Sequence, residues 1–365
     1  MSGSTYGTLY SITTWGESHG SAIGVTVDGC PAGLSLSEED IQVFLNRRKP
    51  GQSRFTTPRK ESDQVEILSG VFEGRTTGTP ISLIVYNQNQ RSKDYSDIKN
   101  YYRPGHADYT FDEKYGFRDY RGGGRSSGRE TMGRVAAGAI ASLILKELGI
   151  TVSAYTKSIG DIVIPSEEYH YEQINDNKLY MPNNDYARKA SDYLDHCMER
   201  HDSSGGVIEC VVNGMPAGIG DPVFQKLDAR LASAIMSIGA VKGIEIGDGF
   251  GVSTSTGSTN NDAFTTEHGK VTKKTNHSGG ILGGMSDGSP IILRAAIKPT
   301  PSISSIQETI TQSHKPTSIQ IKGRHDPVIV PRAVVVVESM TAITLVDLLF
   351  TNMSARMDRL IDFYR

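Results

Sequence analysis

A degenerate internal repeat constrains this chain more than any other feature. Gly24-Val25-Thr26-Val27-Asp28-Gly29-Cys30-Pro31-Ala32-Gly33 alternates like a half-buried strand and closes in a Pro-Ala-Gly turn. Gly206-Val207-Ile208-Glu209-Cys210-Val211-Val212-Asn213-Gly214-Met215-Pro216-Ala217-Gly218 repeats the pattern and its ending. A helical stretch follows each, residues 37–48 and 226–240, and then a strand entered through Gly-x-Pro, Gly78-Thr79-Pro80 and Gly288-Ser289-Pro290. Both halves then run through an arginine-bearing loop into a long apolar helix, 130–148 and 332–350. This order predicts an α+β sandwich with pseudo-twofold duplication rather than a doubly wound parallel sheet. The expected unit is a single domain over 1–365, its halves covering roughly 16–150 and 203–350.

Two polar stretches, 253–278 and 164–184, read as loops. Residues 86–128 are long, irregular and rich in Arg, Asp, Tyr, His and Gly, the profile of a functional loop. No stretch reads as long enough to span a membrane, and the first twenty residues lack a charged segment followed by an apolar run. Three dispersed cysteines, Cys30, Cys197 and Cys210, show no zinc spacing and suit a reducing compartment. The expectation is a soluble cytoplasmic protein. With 38 Lys+Arg against 41 Asp+Glu, any basic surface must be local, so coating of nucleic acid or acidic membrane is disfavoured.

Cations gather in two places. Residues 47–60, RRKPGQSRFTTPRK, hold six basic residues and no acid, with Ser53, Thr56 and Thr57 as neutral donors. Guanidinium forks suit carboxylate or phosphate, although alone the segment fits a solvated turn or an RNA patch equally well. Residues 118–134, RDYRGGGRSSGRETMGR, set Arg121, Arg125, Arg129 and Arg134 around three glycines and Ser126-Ser127, just before a helix start expected at Glu130. A phosphate there would meet backbone N–H groups, two hydroxyls and the positive end of a helix dipole; the alternative is that the serines only cap the helix. Neither a Walker A loop nor a dinucleotide fingerprint is present.

His19, in Trp15-Gly16-Glu17-Ser18-His19-Gly20, and His106, in Arg103-Pro104-Gly105-His106-Ala107-Asp108, stand beside glycines and off any apolar helical face. Both read as cleft residues, where a polyanionic ligand would turn an imidazole among arginines into a competent acid. Asp326, in Lys322-Gly323-Arg324-His325-Asp326-Pro327, precedes proline and reads as a rim carboxylate, either a base or a partner for Arg324.

Together the segments 16–20, 47–57, 103–108, 120–134, 242–245, 279–284, 298–300 and 323–327 resemble the chorismate synthase family, in family order along nearly the whole chain. The resemblance implies a β-α-β sandwich, a homotetramer, and 1,4-anti elimination of phosphate from 5-enolpyruvylshikimate 3-phosphate with reduced FMN, without net oxidation. It leaves open whether NADPH reduces the flavin on this protein or an external reductase does. By the same resemblance His19 protonates the leaving phosphate, His106 is an acid toward the flavin system, and Asp326 belongs to the proton relay. Ser18, Arg48, Arg54, Arg103, Arg129 and Arg134 match substrate positions. Arg125, Ser126, Ser127, Gly239, Ala240, Gly283, Lys298, Pro299, Thr300, Pro301, Ser302 and Arg324 match FMN positions, with Arg125 facing both ligands. Gly239 stands where asparagine or proline is frequent in the family. The rival readings are a phosphoryl transferase, which requires nucleotide and magnesium, and an RNA-binding protein, which requires stacking motifs that are absent.

Overall fold

A computed structural model of the chain describes residues 3–56, 61–88, 97–321 and 326–365. Along the first half run β1 (Thr5–Tyr6), β2 (Ser11–Gly16), β3 (Ala22–Asp28), α1 (Glu38–Arg48), β4 (Val65–Ile67), the hairpin β5 and β6 (Val71–Phe72 and Arg75–Thr76), β7 (Ile81–Tyr86), α2 (Asp108–Tyr115) and α3 (Thr131–Glu147). The second half begins with β8 (Thr151–Ile159), β9 (Ile162–Val163), α4 (Asn184–Glu199), β10 (Gly206–Asn213), α5 (Leu227–Met236), β11 (Val241–Ile246) and α6 (Gly257–Asn260). Hairpins β12 and β13 (Phe264–Glu267 and Lys270–Lys273) and β14 and β15 (Ile281–Leu282 and Met285–Ser286) lead to β16 (Ile291–Ile297). A third hairpin, β17 and β18 (Ile306–Ile310 and Pro316–Gln320), precedes α7 (Val330–Thr351) and α8 (Met357–Tyr364).

The chain is α+β. Among the described residues, two antiparallel five-stranded sheets have the orders β1-β2-β3-β7-β4 and β11-β16-β10-β8-β9. Alternation decides their faces: Ile81, Leu83 and Val85 of β7 and Ile291, Leu293 and Ala295 of β16 point inward and are buried. Helix α3 lies on β2 and β3, α7 lies on β8 and β10, and the two helices pack on each other with α1 and α5 beside them. The outer face of the second sheet carries a row in direct register, Tyr155 opposite Glu209, Glu209 opposite Arg294, and Arg294 opposite Glu245. Tyr155 Oη donates to Glu209 at 2.5 Å and Arg294 Nε donates to Glu245 at 3.0 Å.

The α3–α7 contact rests on small side chains. Gly138 faces Ser339 so closely that a Cβ at 138 would lie 2.2 Å from the serine Cβ and 2.6 Å from its Cα. Ala137, Ala139 and Ala141 of α3 are buried as well. Helix α7 carries two buried acids that tie it to its neighbours. Glu338 accepts both terminal nitrogens of Arg47 on α1, at 2.7 and 3.0 Å. Asp347 accepts Arg230 of α5 at 2.9 Å and the backbone N–H groups of Thr8, Leu9 and Tyr10.

Three expectations change. Residues 330–354 have a mean hydropathy of 2.0 and are long enough to cross a membrane, contrary to the sequence reading; 83% of that apolar window is buried, because α7 is enclosed by helices and a sheet. The 253–278 stretch contains α6 and the β12–β13 hairpin, held by Lys273, whose buried ammonium donates to Asp262 and Asp287 at 3.2 and 2.7 Å. Helix α4 was not anticipated, although Asn183 caps it and Ala187, Ala190, Leu194 and Cys197 fall at helical spacing on its buried side.

Gly138→Ala tests the helix contact. Alanine is the better helix former, yet the added methyl has no room, so the net expectation is a loss of about 1–3 kcal/mol in urea unfolding. Stabilisation would show that the helices part easily.

Candidate active site

Helix α1 ends at Arg48 where α3 and α7 begin. Ser37 and Asp40 form a capping box that fixes the start of α1, so the helix delivers Arg48, its last residue, into the interior. The Arg48 guanidinium is 2% exposed and donates to the Asp63 carboxylate and, at 3.4 Å, to the Gly128 carbonyl. Arg129 completes the pair: its Nη1 donates to the other Asp63 oxygen at 3.0 Å, and its Nη2 lies 3.7 Å from Glu61. Asp63 adopts φ +47°, a conformation uncommon outside glycine and held here by two guanidiniums. Arg332, in the first turn of α7, donates to the Arg48 carbonyl at 3.0 Å and to Asp326 at 2.7 Å.

Burial, together with the charges of Arg332 and Arg129, lowers Arg48 to about 10 despite the support of Asp63. Burial also opposes ionisation of Asp63, but Arg48 and Arg129 hold it below the usual carboxylate range. The cluster is thus charged and desolvated, with donors left over. Arg48 Nε, Arg129 Nη2 and Ser18 Oγ are buried without hydrogen-bond partners among the described residues. Such groups cost about 1–3 kcal/mol each when unsatisfied, which an anionic acceptor recovers. The N-termini of α3 and α7 converge on the same place and favour negative charge there.

His19 stands on the turn between β2 and β3. Asn87, just beyond β7, donates its side-chain amide to the carbonyls of Glu17 at 3.0 Å and Gly20 at 2.8 Å, and accepts Arg129 Nε at 2.6 Å. Gly122 also meets the imidazole: a Cβ there would lie 2.4 Å from His19 Cδ2 and 3.1 Å from Ser18 Oγ. A side chain at 122 would therefore displace the histidine. Both His19 and His106 are half-buried, as the sequence implied.

A second group forms around His106. Its Nε2 shares a hydrogen bond of 2.7 Å with Ser302 Oγ, and Lys298 Nζ donates to the neighbouring Gly105 carbonyl at 2.9 Å. Lys298 N donates to the Ala240 carbonyl at 2.9 Å, and Ala240 has φ +73°. Arg134 reaches the same segment, donating to Ser237 Oγ at 2.6 Å while its Nε donates to Glu130 at 2.9 Å. Thr300 Oγ1 is buried without a partner among the described residues, and the Thr300 carbonyl accepts Ser203 Oγ at 2.7 Å. Here the loop of 103–106, the segment Lys298-Pro299-Thr300-Pro301-Ser302 and the pair Gly239-Ala240 come together, as neighbours that sequence distance conceals.

Other candidates are taken up by internal partners or lie farther off. Arg54 is exposed, pairs with Asp195 of α4 at 2.6 Å and lies over the Phe55 ring, whereas Arg48 points inward. Arg103 is buried in a bidentate pair with Asp108, at 2.8 and 2.7 Å, and against the opposing effect of burial it holds that carboxyl below its usual range. Arg125 braces the end of β2, donating to the carbonyls of Gly16 at 3.1 Å and Thr14 at 3.0 Å. Ser127 caps a short 3₁₀ turn, Gly128–Glu130, that precedes α3, whereas Ser126 donates back to the Gly123 carbonyl at 2.7 Å; neither serine caps α3 itself, which starts at Thr131. Gly283 sits in the β14–β15 turn, where the adjoining Gly284 carbonyl accepts Leu227 N at the start of α5. Gly239 and Ala240 follow the far end of that ten-residue helix, about 15 Å away. Arg324, like Thr57 and Lys60, lies outside the described residues.

Sequence reading missed Asp63, Asn87, Glu130 and Arg332. Glu130 bridges Thr14 and Arg134, at 3.0 and 2.9 Å. An acid soon after a basic run, as in Glu61-Ser62-Asp63, was the available signal for the first.

The chorismate synthase family model matches residues 10–350. Chorismate synthase of Agathobacter rectalis is 67% identical over 365 residues, with all of both chains covered. That of Lachnospira eligens is 65% identical with the same coverage, and that of Methanococcoides burtonii is 53% identical over 95% of this chain and 96% of the relative. A crystal structure of chorismate synthase superposes with a TM-score of 0.78 at 32% identity, covering 98% of each chain.

Asp63→Asn tests the buried pair. Leaving Arg48 and Arg129 half-compensated should cost about 3–5 kcal/mol in urea unfolding at pH 7. The folded Asp63 carboxyl titrates below the unfolded one, so its stabilisation is complete above about pH 4 and is lost as pH falls further. The penalty of the substitution should therefore shrink in acid; an undiminished penalty would mean that charge at Asp63 is not what stabilises.

Proposed function

The chain belongs to the chorismate synthase family, phosphate-eliminating lyases of the shikimate pathway to the aromatic amino acids, and from that premise we propose how its residues divide the work. One observation carries the reading: two buried arginines, two helix N-termini and unsatisfied donors converge where a half-buried histidine is presented. The substrate, 5-enolpyruvylshikimate 3-phosphate, brings a phosphate and two carboxylates, whose desolvation requires several cations at fixed positions. Arg48 and Arg129 receive anionic oxygens through Nε and Nη2, the nitrogens without internal partners among the described residues. Ser18 adds a neutral donor. Because Asp63 fixes both guanidiniums beforehand, they need little rearrangement as charge builds on the departing phosphate.

His19 protonates that phosphate as the C–O bond breaks, and Gly122 leaves room for the ring to approach. The products are chorismate and inorganic phosphate, with no net oxidation. Reduced FMN supplies the transient electron density that makes loss of phosphate and of a non-acidic ring proton feasible. Its donor set is supported by Lys298, the buried Thr300 hydroxyl and the positive-φ backbone at Ala240, with Arg125, Ser126, Ser127, Pro299, Pro301, Ser302 and Arg324 in the same assignment. His106, fixed by Ser302, holds a proton for that group, and Asp326, held by Arg332, accepts one. Arg54, Arg103 and Arg134 belong to the same reading as cations for the substrate's outer charges. Gly283 fits the cofactor assignment least within one chain, because α5 separates it from Gly239.

The reading also includes duplication of the two halves about a pseudo-twofold axis, supported by the shared succession of elements from β2 to α3 and from β8 to α7. A cytoplasmic homotetramer rests on family membership, which leaves open whether NADPH reduces the flavin on this protein or an external reductase does.

Purified protein incubated anaerobically with the enolpyruvyl substrate and reduced FMN should release inorganic phosphate and should fail to do so without flavin. Equal release without flavin, or none with it, overturns the proposal. His106→Ala should retain substrate binding while turnover falls by about 100-fold or more, and unchanged turnover would remove His106 from the mechanism.

A further inference from the structure

We infer that Asn87 is a positioning residue for the elimination, one that couples the proton donor to the phosphate-binding cation through a single side chain. Its backbone is not free to adapt. Asn87 follows β7, whose last residue, Tyr86, pairs with Ala22 of β3, and Asn87 N continues the ladder by donating to the Ser21 carbonyl at 3.0 Å. From this fixed base the carboxamide reaches in two directions. Its NH₂ donates to the carbonyls of Glu17 and Gly20, the two ends of the turn that carries Ser18 and His19, at 3.0 and 2.8 Å. Its oxygen accepts Arg129 Nε at 2.6 Å, orienting the guanidinium whose Nη1 is held by Asp63.

No other common side chain of this size offers two donors and an acceptor in that arrangement. Aspartate keeps the acceptor but turns a carboxylate toward two carbonyl oxygens. Alanine loses both functions. The His19 turn closes on itself through one backbone bond, Gly20 N to the Glu17 carbonyl at 3.1 Å, and the amide clamps that turn to the sheet from outside. Gly122 also confines the imidazole. A misplacement of about 1 Å of a catalytic group can cost on the order of 100-fold in rate, which sets the scale expected for loosening this clamp.

The inference rests on the proposed role of His19, so the test is a double-mutant cycle that separates the two. Turnover with reduced FMN and the enolpyruvyl substrate is measured for the full chain, His19→Ala, Asn87→Ala and the double variant, with thermal midpoints for all four. Asn87→Ala should lower kcat about 10- to 100-fold alone. In the His19→Ala background it should lower kcat by a distinctly smaller factor, because only the orientation of Arg129 is then left to lose. If His19→Ala retains full turnover, the role of His19 fails. If His19→Ala is impaired but Asn87→Ala lowers kcat by the same factor in both backgrounds, or leaves it unchanged alone, the positioning role fails and the amide is only a brace of the loop. Asn87→Asp, which keeps an acceptor for Arg129, is carried through the same cycle if the alanine variant does not fold.

Discussion

The close contact of α3 with α7 is the constraint on which the rest of the molecule depends. Gly138 meets Ser339, seven residues after Thr131 (138 − 131) and nine after Val330 (339 − 330). At 1.5 Å per residue the touching point lies about 11 and 14 Å from the two helix starts, and because Arg48 touches both Gly128 and Arg332 the two N-termini emerge at the same end of the sandwich. That end is where α1 delivers Arg48 and where Arg332 begins α7. The small-residue stripe of α3 thus acts on function through placement: it allows two positive helix ends and three guanidiniums to occupy one region. Without a counter-charge this arrangement would be costly, and Asp63, Glu61 and Asp326 keep it affordable until a ligand arrives.

Much of the fold was legible because its signals are local. Alternation in β3, β7, β10 and β16 and the apolar period of α3 appear directly in the sequence, and Gly-x-Pro marks the entry to β7 and β16. Helix α4 and the β12–β13 hairpin were less visible, since polar and hydroxyl-rich stretches carry little periodicity. The apolar α7 was visible as a helix, but its buried surroundings are a property of the whole fold.

The residue types of the proposed site were legible in the sequence, and their arrangement was less so. His19 and His106 stood out because histidines beside glycine, off any apolar face, have few structural uses, and both are half-buried. The arginine clusters were harder to interpret. Six cations between 47 and 60 suited an anion but equally a solvated turn or an RNA patch, and of those described Arg47 serves Glu338, Arg48 serves Asp63 and Arg54 serves Asp195. Neighbours in a helix or turn face different directions, so a run of like charge overstates the local field. What singles out the proposed anion site is instead which donors stay unsatisfied after pairing among the described residues, Arg48 Nε and Arg129 Nη2, and that depends on acids distant in the chain from Arg129.

The charged row on the outer face of the second sheet has a consequence for distances far from it. Tyr155, Glu209, Arg294 and Glu245 match only in one register of β8, β10, β16 and β11. A slip of one residue would expose the apolar face of a strand and would also advance the chain by about 3.3 Å. Lys298 is the first residue after β16 and Ala240 the last before β11, and their backbones hydrogen-bond at 2.9 Å. The error would therefore pass undiminished into the segment that carries Thr300 and Ser302, and Ser302 could no longer reach His106. Strand pairing in this sheet works as a ruler, and the ion row on one side of it sets the zero from which the opposite end is measured.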